Sequence, residues 1–322
     1  MDILRLTLRQ LQIFVAVARM GSTTAASAEV SLCQSATSSA VNELERLLSM
    51  RLFDRAGKRL LLNDNGRALL PRALALLDGA AGIERMTRDG MEQAQSLRIG
   101  ASTTIANYVL PTLLGVFFGE RYQDRTTAWR SSVKIGNTRV ICDAVAAFEL
   151  DIGLIEGPSH QASLAVTPWL QDELIIVSSP DSMLAGLTQG PAAVERVSVK
   201  ALRDLVWLLR EPGSGTREAT DQLLLPHLRS YRRSIEIGSS EAIKHAAAEG
   251  LGAACLSQWV VSDLVKSKRL RRIPTTLPKL TRQCYLVVHH DKQATPALLR
   301  FIAQATSFVS PSANSETGKP SL

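Results

Sequence analysis

The chain has 322 residues, 45% of them hydrophobic and 21% charged, with a formal net charge of +7. That is the balance of an ordinary folded protein with a sizeable core, and at roughly 100–200 residues per domain the length predicts two or three domains. The basic surplus favours a polyanionic partner, and no run of about 18 uncharged apolar residues is present to cross a membrane. The N-terminus, MDILRLTLRQLQIF, lacks the apolar run and small-residue cleavage site of a signal peptide. A cytoplasmic location away from any membrane is expected.

Residues 8–19 carry Leu8, Leu11, Val15 and Ala18 on one helical face, and Gly21 ends that helix. Ser22 is an N-cap for a short second helix. A turn at Ser31-Leu32 leads into a third, CQSATSSAVNELERLL. Its apolar stripe is Val41, Leu44 and Leu48. Its other face, Gln34, Ser35, Ser38, Ser39 and Asn42, is small and polar. LFDRAGKRLLLN then reads as a β-hairpin with a basic tip. From 65 to 89 a long helix is predicted, with Leu69, Ala73, Leu76, Ala80 and Ile83 in a heptad seam. Pro71 is expected to kink or loosen its first turns. Such a helix between two domains reads as a linker and dimerisation element.

After Gln95 strands and helices alternate. LRIGAS, TAWRSSVKI, DIGLIEG, LQDELIIVSSP, VWLLRE, SIEIGSS, GAACLS and QCYLVVHHD are predicted strands. Helices are predicted from Tyr108 to Phe118, over NTRVICDAVAAFE, and at 215–227, 239–249, 257–267 and 295–308. The alternation predicts an α/β fold with a largely parallel sheet covered on both faces. The tail from Ser310 is polar and is expected to fray.

Three short helices followed by a basic hairpin make a winged helix-turn-helix. A helix entering the major groove needs side chains that hydrogen-bond base edges without bulk, and Gln34, Ser35, Ser38 and Asn42 meet that need. The wing needs cations for phosphates, and Arg51, Arg55, Lys58 and Arg59 face only Asp54 in this stretch. Double-stranded DNA is therefore the expected partner.

The stretch from Leu8 to Leu70 resembles the DNA-binding end of LysR-type transcriptional regulators. LRIGAS, DIGLIEG, LREPGSGTRE and GSSEAIKHAAAEGLGAACLS resemble the co-inducer domain of that family, so the likeness covers the chain to about residue 308. The resemblance implies a winged helix-turn-helix over 1–64 and a linker helix over 65–90. It implies a two-lobed, periplasmic-binding-protein-like effector domain over 91–310, and a disordered tail over 311–322. Lobe I would hold 91–166 and 269–310, and lobe II 167–268. It also implies a homodimer or homotetramer on promoter DNA, with RNA polymerase a further partner of an activator. Many members carry an arginine where this chain has Ser39, so the operator's preferred bases should differ.

In an α/β domain the ligand belongs at the carboxyl ends of the strands, beside helix N-termini. Ser102, Thr103, Thr104, Asn137, Thr138, Glu156, Ser214, Gly215, Thr216, Arg217 and Ser239 fall there. Hydroxyls, backbone N–H groups and helix dipoles suit an anion, and Arg210 or Arg217 can add a guanidinium fork. EPGSGTR resembles regulators of sulfur-oxyanion and carbon-fixation genes, which implies a sulfur oxyanion or a phosphorylated or carboxylate metabolite as effector. No cofactor or metal is expected. The bland account of the same hydroxyls is simple helix capping.

An enzyme and a redox regulator are the competing functions. The five histidines include no metal-ligand spacing and no Gly-x-Ser-x-Gly elbow occurs, so an enzyme is disfavoured. Cys33, Cys142, Cys255 and Cys284 are far apart in sequence. They read as idle thiols, with a thiol-based redox regulator of the same fold as the alternative.

Overall fold

The computed structural model describes residues 5–57, 59–88, 97–119, 131–182 and 196–308. Lys58 of the wing, the first residues of TAWRSSVKI and the tail from residue 309 lie outside the described residues. The chain folds as two compact units, one built mainly of Met1–Ala94 and a larger one built of most of the rest.

The first unit contains helices α1 (Leu8–Met20), α2 (Thr23–Glu29) and α3 (Gln34–Leu48). The hairpin β1 (Phe53–Ala56) and β2 (Arg59–Leu62) follows, and then the long helix α4 (Asp64–Arg88). Local caps explain these boundaries. The Thr7 hydroxyl accepts the Gln10 N–H at 3.2 Å while the Gln10 side chain accepts the Thr7 N–H at 2.9 Å, a reciprocal capping box. Gly21 stops α1 in the left-handed region, at φ 64°. Ser22 Oγ accepts the Ala25 N–H at 3.4 Å to start α2, and Asn63 Oδ1 accepts the Gly66 N–H at 2.9 Å at the start of α4. The apolar stripes then meet in one core of Leu11, Phe14, Val17, Leu44 and Leu52. The Phe14 and Phe53 rings lie 5.6 Å apart, and the Leu60 N–H donates to Gly21 O at 2.8 Å. Both strands of the wing are thus fixed to α1.

The expected heptad seam of α4 divides into two faces. Ala73 is buried, and Leu69, Leu70, Leu74 and Leu77 pack on the helix-turn-helix core. Leu76 and Ile83 are instead 55% and 66% exposed. The helix continues through Pro71, the residue expected to disturb it. A proline inside a helix removes one N–H donor, and here the packing of the neighbouring leucines on the core holds the turn.

The second unit opens with β3 (Leu97–Ser102), α5 (Thr103–Tyr108), α6 (Leu110–Gly119), β4 (Ser131–Gly136), α7 (Thr138–Ala146) and β5 (Ile152–Glu156). Next come β6 (Leu164–Ser178), α8 (Val199–Arg203), β7 (Val206–Leu209), α9 (Gly215–Leu228), β8 (Arg233–Glu236) and α10 (Ser240–Ala248). The unit closes with β9 (Ala253–Ser257), α11 (Gln258–Lys266), β10 (Arg271–Arg272), β11 (Thr281–His289) and α12 (Pro296–Ser307). The helix expected from Tyr108 to Phe118 is α6, and a short helix that was not expected, α5, precedes it. Pro111 has no N–H and fits the first turn of a new helix, so the chain restarts at Leu110.

The strand order is β4-β3-β5-β11-β6-β9-β7-β8, with β10 on β6. β4, β3 and β5 are mutually parallel, as are β9, β7 and β8. Between these triplets β11 runs antiparallel to both β5 and β6, and β6 runs antiparallel to β9. The sheet is therefore mixed rather than largely parallel. The long strand β6 pairs with β11 through its first part and with β9 from Leu174 to Val177. Two halves result, each with its own core, joined by β6 and β11. One core gathers Ile99, Ile105, Leu113, Leu154 and Phe301. The other gathers Leu174, Leu202, Trp207, Leu224 and Cys255, and takes in Ile273 and Leu280. Those last two residues fall in the stretch expected to open the returning part of lobe I, yet they pack on the second half.

Two glycines of α4 should respond with opposite signs. A Cβ on Gly66 would lie 2.2 Å from Leu52 O, whereas at Gly79 no atom lies within 4 Å. In urea melts of the full chain, Gly66→Ala is expected to cost about 1–3 kcal/mol. Gly79→Ala should gain about 0.5–1 kcal/mol by removing backbone freedom from the unfolded chain.

Candidate functional site

Two sites were expected, one in each unit. In the first unit, α3 and the wing enclose an open cleft of about 430 Å³. Gln34, Ser38 and Asn42 line it from α3, and Arg55, Gly57 and Arg59 from the hairpin. Ser35 and Ser39 sit exposed on the same outward side of α3, one residue along from Gln34 and Ser38. Buried Thr37, Val41 and Leu44 hold the opposite side on the core. Arg51 reaches the cleft differently from Arg55. Its Nη1 donates to Glu45 Oε2 at 3.0 Å, while Glu45 Oε1 accepts the Leu52 N–H at 2.8 Å. Glu45 is buried, and the Arg51 side chain remains 77% exposed. One end of that guanidinium is therefore anchored and the rest faces water. Sequence reasoning missed Thr23 and Thr24, which line the cleft from the start of α2. Gln34 Nε2 donates to Thr23 Oγ1 at 3.2 Å. Ser22 also lines the cleft, although its pattern revealed only a helix cap.

In the second unit the strand-end hydroxyls do converge, but on a carboxylate of the chain itself. Glu156 ends β5 and is buried. Its Oε1 accepts the Ser102 hydroxyl and the Thr104 N–H, both at 2.9 Å. Its Oε2 accepts the Thr216 hydroxyl at 2.8 Å and Arg282 Nη1 at 2.6 Å. The Thr138 hydroxyl donates to Glu156 O at 3.0 Å. Gly215 lies so close that a Cβ would sit 1.8 Å from that oxygen. Arg282 Nε donates to Asp172 Oδ2 at 2.8 Å, and the Ser257 hydroxyl donates to Asp172 Oδ1 at 2.8 Å. The Thr104 hydroxyl is buried without a hydrogen bond. Glu156, expected to touch an effector, is itself the anion of this cradle.

The charges follow from these contacts. Burial raises the Glu156 carboxyl, but the Arg282 guanidinium and the Thr216 and Ser102 hydroxyls outweigh it and hold the group below the usual carboxylate range. At Asp172 burial wins and pushes the carboxyl up against the pull of Arg282 and Ser257. Arg282 loses by burial but gains more from the two carboxylates, so its affinity for the proton rises.

The remaining expected residues bond elsewhere and make no contact with the Glu156 carboxylate. Asn137 caps α7 by accepting the Val140 N–H at 3.0 Å, and its Nδ2 donates to Glu211 Oε1 at 3.2 Å. Thr103 Oγ1 donates to Gly136 O at 3.3 Å. Ser214 and Ser239 cap α9 and α10, as the bland account has it. Arg217 pairs with Asp221 at 2.8 Å and donates to Arg210 O at 3.0 Å. Arg282 and Asp172 were missed in the sequence. Both stand among polar neighbours, Gln171 and Glu173 beside Asp172 and Thr281 and Gln283 beside Arg282, so no local pattern singled them out. The thiols separate by exposure. Cys33 is exposed, and a hydrogen bond with Ser35 lowers its pKa. Cys142, Cys255 and Cys284 are buried, which pushes all three up, Cys255 to about 12.

The helix-turn-helix model of the lysR family matches residues 8–67, and the LysR substrate binding domain matches residues 91–309. The chain belongs to the LysR family of transcriptional regulators. It is 43% identical over 299 residues to the uncharacterized HTH-type transcriptional regulator YeiE of Escherichia coli K12, covering 93% of this chain and 97% of that one. It is 30% identical to the RuBisCO operon transcriptional regulator of Acidithiobacillus ferrooxidans, covering 100% of this chain and 99% of the relative. Among solved structures it resembles the CcmR regulatory domain of Synechocystis PCC6803 in complex with 2-PG. That match has TM-score 0.55 and 29% identity, over 66% of this chain and 95% of that one. This LysR regulator thus has a DNA-binding unit and an effector-domain unit, and among the described residues no helix is long and apolar enough to cross a membrane.

The Glu156 cradle carries a pH signature. Its folded pKa is depressed, so its stabilisation is complete above the unfolded value of about 4.3 and is lost as pH falls through the folded value. Glu156→Gln is expected to lower stability at pH 7 by about 3–5 kcal/mol, because it leaves Arg282 buried with one partner removed. Urea melts across a pH series should show the gap to the parent protein closing below about pH 4.

Proposed function

We propose that α3 enters the major groove of a promoter duplex while the wing grips the adjacent phosphates. The observation that carries this reading is the cleft itself, with a hydrogen-bonding floor and a cationic rim. Gln34, Ser35, Ser38, Ser39 and Asn42 read base edges, and Arg51, Arg55, Lys58 and Arg59 neutralise phosphates. Thr23 and Thr24 add hydroxyl donors at the edge of the cleft. With Ser39 in place of an arginine, the side chains on this face form short-range contacts and the wing carries much of the affinity.

The larger unit binds a small oxyanion at the mouth between its two halves, and that binding changes promoter occupancy. Asn137 and Ser239 cap the starts of α7 and α10, and Thr103 opens α5; helix starts favour negative charge. The 2-PG bound by the CcmR domain supports an anionic effector of this size. A sulfur oxyanion or a phosphorylated or carboxylate metabolite fits the same chemistry. The protein works in the cytoplasm as a homodimer or homotetramer, with the outward Leu76 and Ile83 of α4 available to a second copy, and it meets RNA polymerase where it activates. The redox alternative is disfavoured because three of the four thiols are buried and pushed away from the thiolate form.

Fluorescence anisotropy titrations over a series of KCl concentrations separate the two kinds of DNA contact. Arg55→Ala is expected to weaken binding to all sequences and to reduce the salt slope by about one unit. An unchanged slope would remove Arg55 from the phosphate contacts.

A further inference from the structure

The deep cradle has no room for a second anion, because its convergent donors already meet on Glu156. A second buried cation lies nearby. Arg210 leaves the end of β7 and its side chain is only 3% exposed. Its Nη1 donates to Ser240 Oγ at 2.8 Å. Its Nε and Nη2 donate to the two oxygens of Glu211 at 2.7 and 2.8 Å. Asn137 Nδ2 donates to the same carboxylate from the other half.

Glu211 differs from Glu156 in two respects. It is the residue next in sequence to its cation, and it remains 25% exposed. Rotation of one side chain therefore takes it into water without moving the backbone. That rotation frees three donors, two on a planar guanidinium fork and one on an amide. This is the donor geometry that a carboxylate, a phosphate or a sulfur oxyanion accepts in bidentate fashion. Arg210 is too buried to remain without a counter-charge, so the carboxylate leaves only as another anion arrives.

We propose that Glu211 is a built-in competitor of the effector: a small oxyanion binds Arg210 and Asn137 by displacing the Glu211 carboxylate, and Glu156 stays in place. This rests on the reading that the sensor takes a small anion. The exchange links the halves through the incoming ligand instead of through the chain's own side chain. Effector affinity then reports the difference between two anions on one fork, which sets it well below that of an empty fork.

Isothermal titration of the full chain with sulfate, sulfite, inorganic phosphate and 2-phosphoglycolate tests this. For whichever anion the parent protein binds, Glu211→Gln is expected to tighten the Kd at least tenfold, and Arg210→Gln to weaken it at least tenfold. Asn137→Ala should weaken it by a smaller factor and serves if Arg210→Gln fails to fold. Melting curves and DNA affinity report folding for each variant. If the anion binds the parent and Glu211→Gln equally, or binds Arg210→Gln like the parent, the competitor role is wrong while the anion sensor stands. If none of the four binds either the parent or Glu211→Gln, both readings fall together.

Discussion

Arg282 places a full positive charge in the interior of the larger unit, on the strand that both halves share. A buried guanidinium costs several kcal/mol in lost hydration unless its geometry and its partners are well matched. Two carboxylates meet it, Glu156 at the end of β5 and Asp172 within β6. Each carboxylate then needs donors of its own, and strand-end hydroxyls and one backbone N–H supply them. The Ser102 hydroxyl and the Thr104 N–H come from the first half, and the Thr216 and Ser257 hydroxyls from the second. One buried charge thereby dictates which side chains stand at the junction of the halves.

The consequence for sensing is a division between depth and mouth. Hydroxyls at strand ends beside helix starts look like an anion site, and in this chain they surround the carboxylate of Glu156. Helix caps claim Asn137, Ser214 and Ser239 for a second purpose. The place proposed for an external ligand is the fork of Arg210, where the resident carboxylate of Glu211 is partly exposed. The DNA-binding unit follows simpler rules. Its core holds one face of α3, the wing is pinned through Phe53 and Leu60, and the polar face of α3 points into the open cleft.

The legibility of the sequence tracks the range of the interactions. The helix-turn-helix was readable almost residue by residue because its signals are local: the cap at Ser22, the stop at Gly21 and the apolar stripe of α3. α4 was found, but its heptad was misleading, since its apolar positions serve two faces rather than one seam. In the larger unit the strands and helices were visible by alternation. The antiparallel course of β11 and the full length of β6 were not, because Pro168 and the polar residues around it interrupt the strand pattern. The Glu156–Arg282–Asp172 network was invisible for a related reason. Its members are joined only once β5, β6 and β11 are paired, and no local spacing records that pairing.

The central claim is that the chain's own carboxylates occupy the anion positions of the sensor, one permanently and one exchangeably. Crystals of the full chain soaked with selenate, read by the anomalous signal of selenium, test it most directly. The account predicts selenate on the Arg210 fork, Glu211 turned into solvent and Glu156 unmoved against Arg282. Selenate bonded by Ser102, Thr104 and Thr216, with Glu156 expelled from the cradle, would contradict it.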